Sequence, residues 1–118
     1  MQLLYAAAGG ALGAACRFAL SYLPVSNRNL PPVTLLANLI GCFLMGVLSA
    51  KAEARGWHPN LEIFLQAGFC GGLTTFSAFS KETVSMAQKG QLPAATLYIV
   101  STVALGFLAF YLGQQAAK

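Results

Sequence analysis

Four apolar runs dominate this chain, covering residues 3–23, 33–52, 61–86 and 93–112. A helix rises about 1.5 Å per residue, so about 20 such residues cross a hydrocarbon layer about 30 Å thick. Short polar stretches separate the runs. Residues 24–32 hold Asn27, Arg28, Asn29 and the pair Pro31-Pro32; residues 51–60 hold Lys51, Glu53, Arg55, Gly56 and Pro59; residues 87–92 read Ala-Gln-Lys-Gly-Gln-Leu. Each is a turn signal. The chain is therefore expected to be an all-α membrane protein, one domain over residues 1–118 with four transmembrane helices, consecutive helices packing antiparallel.

Composition removes most other classes. The 118 residues are 57% hydrophobic and only 8% charged, against about 25% charged in soluble domains. Mean hydropathy is +0.64, with no polar half to offset an apolar one. Lys and Arg are scattered, so no cluster tracks phosphates and no nucleic acid is expected as a partner. Cys16, Cys42 and Cys70 lie inside apolar stretches without metal-ligand spacing, and His58 sits in a polar loop. One loop histidine assembles no set of nucleophile, base and orienting residue, so an enzyme is not expected. The first run is read as a spanning helix rather than a secretory leader: no basic residue precedes it and Arg17 follows Cys16 at once.

Basic residues in short loops normally set orientation. Here Lys51, Arg55 and Lys118 fall on one side, against Arg28 and Lys89 on the other with Lys81 nearby. So small a bias predicts insertion both ways and pairing of two inverted copies about an axis in the membrane plane. Small residues mark sites of close helix approach: Gly9 with Gly13, Ala6 with Gly10 and Ala14, and Gly68 with Gly72, all at spacing four.

Polar residues inside the runs carry the chemistry. An ionisable group at membrane depth costs about 2.5–3.5 kcal/mol on insertion scales. Arg17 either snorkels from the end of the first run or stands in a vestibule that attracts anions. Asn38, the carboxamide of the second run, is either interhelical glue or a donor for a dehydrated anion. The third run holds Gly68-Phe-Cys-Gly-Gly-Leu-Thr-Thr-Phe-Ser-Ala-Phe-Ser-Lys-Glu82. Adjacent Gly71 and Gly72 each weaken a helix by about 1 kcal/mol, which predicts a broken third helix, interrupted between Gly71 and Thr75. A break leaves free carbonyls that suit a hard cation such as Na⁺. Phe76 and Phe79 are either packing residues or rings whose electropositive edges face a small anion. Ser77 and Ser80 add hydroxyl donors, as do Tyr98, Ser101 and Thr102 of the fourth run, where Tyr98 and Thr102 share a face at spacing four.

Through Gly9-Gly-Ala-Leu-Gly-Ala-Ala-Cys-Arg17, Asn38-Leu-Ile-Gly-Cys-Phe-Leu-Met-Gly46 and Gly68-Phe-Cys-Gly-Gly-Leu-Thr-Thr-Phe-Ser-Ala-Phe-Ser80, the chain resembles the Fluc-type (CrcB-like) fluoride channel family. Of these motifs Thr-Thr-Phe-Ser-x-Phe-Ser is the specific one. The resemblance implies an antiparallel dual-topology homodimer in the plasma or inner membrane, with two pores formed by both chains and export of fluoride that entered as HF. It implies vestibule residues Arg17 and Glu82, and pore residues Asn38, Phe76, Phe79, Ser77, Ser80, Tyr98 and Thr102. It also implies a central structural Na⁺ held by the main-chain carbonyls of Gly71 and Thr74. Ala78 departs from the pattern, standing where many relatives have threonine.

Fluoride is small and strongly hydrated, so a pore replaces its water donors in sequence without trapping it. Amide, hydroxyl and ring edges are moderate donors suited to that task. No Asp, Glu or Lys lies at mid-depth in the first two runs to couple transport to protons, so passive flow is expected. A small dual-topology multidrug exporter, the rival built from the same parts, needs a membrane-embedded carboxylate, and residues 3–23 contain none.

Overall fold

In the computed structural model, residues 2–22 and 32–117 are described. The expected end of the first run at Leu23 and the turn carrying Arg28 lie outside them. Helix α1 spans Gln2–Leu20 and α2 spans Pro32–Arg55. Residues 59–73 form α3, in which Pro59–Glu62 and Gly71–Leu73 are α-helical and Ile63–Cys70 has π register. The wider register brings the Gly71 amide to the Gln66 carbonyl, five residues back. Helix α4 spans Phe76–Gln88 and α5 spans Leu92–Ala116.

Local chemistry explains the boundaries. Helix α2 stops where Gly56 takes φ 61°, and the Gly56 and Trp57 amides both return to the Ala52 carbonyl, a glycine-terminated helix end. The next helix starts at once: His58 Nδ1 accepts the Asn60 amide at 3.1 Å and Pro59 occupies the first turn. Gly90, with φ 79°, turns the chain between α4 and α5. Helix α2 runs past the expected residue 52 to Arg55, and α5 past 112 to Ala116. Helical hydrogen bonding continues into polar residues beyond an apolar stretch, so composition marks the apolar window rather than the helix end.

Among the described residues, four helical stretches are long and apolar enough to cross a membrane: Gln2–Leu20, Val33–Arg55, Pro59–Gln88 and Leu92–Ala116. The molecule is 49 Å along its longest axis, comparable with a bilayer of about 40–45 Å including headgroups. Its buried apolar residues are few and mostly small, including Ala37, Ala52, Cys70, Leu73 and Ala95; the larger Tyr98 packs with Met86 and Ala95. Leu3 and Phe107 are 81% and 75% exposed, as suits side chains that meet lipid or another chain.

The helix pairing differs from the consecutive antiparallel packing expected from the short turns. Helix α1 lies along α3, and α2 lies along α5; α1 and α2 barely meet. Both principal pairs are parallel. Gly9 meets Phe64 and Gly68 while Gly13 meets Phe69 and Leu73; likewise Cys42 meets Gly106 while Gly46 meets Phe110 and Gln114. Glycines decide this, because backbones in lipid associate where small residues let them approach. A Cβ on Gly68 would lie 2.8 Å from the Gly9 Cα, closer than side chains allow. Among the described residues, the consecutive pairs that do meet are α2 with α3 and α4 with α5, both less extensively than the two principal pairs.

Candidate functional site

Thr74 and Thr75 separate α3 from α4. Both are extended, with φ/ψ of −83°/153° and −149°/120°. Ending a helix here strips carbonyls of their amide partners. In a continuous helix the Gly71 carbonyl would accept from the Thr75 amide and the Thr74 carbonyl from the Ala78 amide. Instead the Thr75 amide donates to Asn38 Oδ1 at 2.7 Å, and the Ala78 amide donates to Thr75 Oγ1 at 3.2 Å. Two main-chain oxygens, hard ligands by chemistry, are thereby deprived of their helical donors. Nearby Arg17 Nε donates to the Gly72 carbonyl at 3.3 Å. Arg17 is half-buried and reaches the interruption itself.

Asn38 on α2 holds the extended segment from the other side. Besides accepting the Thr75 amide, its Nδ2 donates to the Thr75 carbonyl at 3.2 Å. A carboxamide has two N–H groups, so one remains after this double bond. The two readings open for Asn38 are thus compatible: the same group ties α2 to the α3–α4 junction and keeps a donor.

An open cavity of about 280 Å³ lies between α2, the junction and α5, and its walls include Asn38, Phe79 and Thr102. Thr75, Phe76 and Cys42 also reach it. Thr102 Oγ1 is buried there with no hydrogen-bond partner among the described residues. Such a hydroxyl is unusual, since burying a polar group unpaired costs about 1–3 kcal/mol. Phe79 stacks at a tilt on Tyr98, ring centroids 5.0 Å apart, and Phe76 on Phe79 at 5.8 Å. Phe76 is 78% exposed in the single chain.

Behind Phe79 is a second polar group. Tyr98, fully buried, donates its hydroxyl to Glu82 Oε1 at 2.9 Å, and the buried Thr34 donates to Glu82 Oε2 at 2.9 Å. Three helices, α2, α4 and α5, therefore meet on one carboxyl group.

Of the residues expected at the site, Asn38, Phe76, Phe79 and Thr102 share the cavity. Tyr98 and Glu82 join in the adjacent cluster. Ser77 is exposed and pairs with Thr75 rather than with Glu82, Oγ to Oγ1 at 3.1 Å. Ser77 and Glu82 lie five residues apart on α4, which turns them to different sides. Ser80 is half-buried and does not line the cavity. Sequence reading passed over Thr75, Thr34 and Cys42. Signals for them exist: Thr75 stands where a hydroxyl caps a helix start, and Thr34, Asn38 and Cys42 recur at spacing four on one face of α2.

Residues 4–114 match the family described as "CrcB-like protein, Camphor Resistance (CrcB)". The chain is similar to the "Fluoride-specific ion channel FluC" of Chlorobium phaeobacteroides (strain BS1), 40% identical over 118 residues, 98% of this chain and 92% of the relative. It is 39% identical to the protein of that name from Shewanella halifaxensis (strain HAW-EB4) over 97% of this chain and 94% of the relative. With the Methylobacillus flagellatus protein of that name the identity is 37%, over 99% of this chain and 94% of the relative.

Proposed function

Because the chain belongs to the CrcB-like family, we propose that it is a fluoride-specific channel, a multi-pass protein of the plasma membrane that lets fluoride leave the cell passively. The observation that carries this reading is the cavity beside the α3–α4 junction. It gathers neutral donors and ring edges of moderate strength: the spare Asn38 N–H, the partnerless Thr102 hydroxyl and the rings of Phe76 and Phe79. A dehydrating anion needs several such groups in succession, none strong enough to hold it. The side chains lining the cavity carry no charge, as suits ion passage without trapping. Arg17 supplies positive charge nearby, in the vestibule role, and Glu82 with Tyr98 borders the path, both of its oxygens occupied by hydroxyls. Ser77 and Ser80 would extend the path along α4.

The reading includes a broken third membrane helix and two inverted copies forming two pores. Phe76, bare on the single chain, and the near-balanced basic residues support such pairing. Na⁺ would be held by the Gly71 and Thr74 carbonyls, whose amide donors are diverted to Asn38 and Thr75. Bound there, it would neutralise oxygens that the interruption leaves unpaired, and a second copy would double their number. The exporter reading has no comparable support, since α1 carries no carboxylate.

Efflux from liposomes containing the purified protein tests the function. Fluoride should leave rapidly while chloride stays; equal leakage of the two overturns the reading. A single-chain mass in detergent would overturn the paired arrangement.

A further inference from the structure

We propose that Thr75 is a positioning residue for fluoride passage: its hydroxyl orients Ser77 so that the Ser77 proton is directed to the ion. The inference rests on Ser77 belonging to the fluoride path.

Thr75 carries four hydrogen bonds. Its main chain is held at both ends by Asn38, and its Oγ1 faces two neighbours, the Ala78 amide at 3.2 Å and Ser77 Oγ at 3.1 Å. A hydroxyl has one proton to donate and two lone pairs to accept with. The Ala78 amide can only donate, so Oγ1 accepts from it and caps α4. The Thr75 proton is then left for Ser77 Oγ. Ser77 accepts it and retains its own proton for a third partner. In the reverse orientation Ser77 donates to Thr75 and offers an anion nothing. An anion arriving at the exposed Ser77 therefore selects the first orientation, and the chained bonds polarise one another, making Ser77 a stronger donor than an isolated serine.

The main-chain clamp by Asn38 does not depend on the Thr75 side chain, so the hydroxyl can be altered with the junction held. Fluoride and chloride efflux is measured for the wild-type protein, Ser77→Ala, Thr75→Ser, Thr75→Val and the double variant Thr75→Val/Ser77→Ala. Ser77→Ala and Thr75→Val should each lower fluoride efflux about five- to tenfold, the scale of one lost hydrogen bond. Thr75→Ser, which restores the hydroxyl, should lie within about twofold of wild type, a margin below that scale. The double variant should be no slower than the worse single variant, because both remove the same donor. Should Thr75→Val not yield monodisperse protein, Thr75→Gly, which a helix start tolerates and which has no side-chain donor, replaces it with the same expectation. Wild-type efflux from Ser77→Ala or from Thr75→Val overturns the inference, as does a double variant whose loss is the product of the two single losses. Those results leave wild-type fluoride selectivity standing. Absence of fluoride preference in the wild-type protein overturns the proposed function, and this inference with it.

Discussion

The Tyr98 hydroxyl donates to Glu82 at 2.9 Å while the same ring lies 5.0 Å from Phe79. One buried side chain of α5 thus supports a cavity-lining phenyl ring and holds the acidic group of α4. Its second duty can be removed alone. Tyr98→Phe keeps the ring and deletes the donor, leaving Glu82 with Thr34. The variant should lose about 1–3 kcal/mol, the scale for a bond to a carboxyl group in a partly buried site. Thermal unfolding in detergent measures this; an unchanged midpoint would mean that the Tyr98–Glu82 bond contributes nothing to the fold.

Gly13 and Gly10 should respond in opposite ways to alanine. A Cβ on Gly13 would run into the Phe69 carbonyl and lie 2.8 Å from the Leu73 nitrogen, both backbone atoms of α3. Neither can turn aside, so α1 and α3 must separate, and Gly13→Ala should destabilise by about 1–3 kcal/mol or more. A Cβ on Gly10 meets nothing nearer than the Gly68 oxygen at 3.9 Å, an ordinary contact. Gly10→Ala should therefore be neutral, or stabilising by up to about 1 kcal/mol through helix propensity. Equal unfolding midpoints for the two variants would contradict the close α1–α3 approach.

Phe76 and Phe79 differ in what they do for the single chain. Phe79 packs on Tyr98 within the apolar cluster that includes Met86 and Ala95, whereas Phe76 is largely bare. Phe79→Ile should lower both fluoride efflux and stability, the latter by about 1–3 kcal/mol, the range for a change of core shape. Phe76→Ile should lower efflux with little change in unfolding. Efflux unaltered by either change would return both rings to simple packing.

The four membrane-length helices were legible because length and apolarity are local properties of a run. Arg17, Asn38, Phe76, Phe79 and Thr102 stood out for a related reason: polar or unusual side chains inside an apolar run need an explanation before any partner is known. Partners were another matter. Asn38 bonds the Thr75 main chain 37 residues away, Arg17 reaches the Gly72 carbonyl 55 residues away, and Thr34 meets Glu82 across 48 residues. Ser77 and Glu82, only five residues apart in sequence, face different partners.

The residue order by itself determined how many times the chain can cross a bilayer and which side chains would be stranded at depth, since both follow from transfer energies summed along a single segment. Tertiary structure alone decided that the close pairs are α1 with α3 and α2 with α5, and hence which donors and acceptors meet at the junction. Hydrophobicity does not discriminate between helices surrounded by hydrocarbon. The choice falls to backbone approach at Gly9, Gly13, Gly46 and Gly113, and to hydrogen bonds that exist only once those backbones are in register.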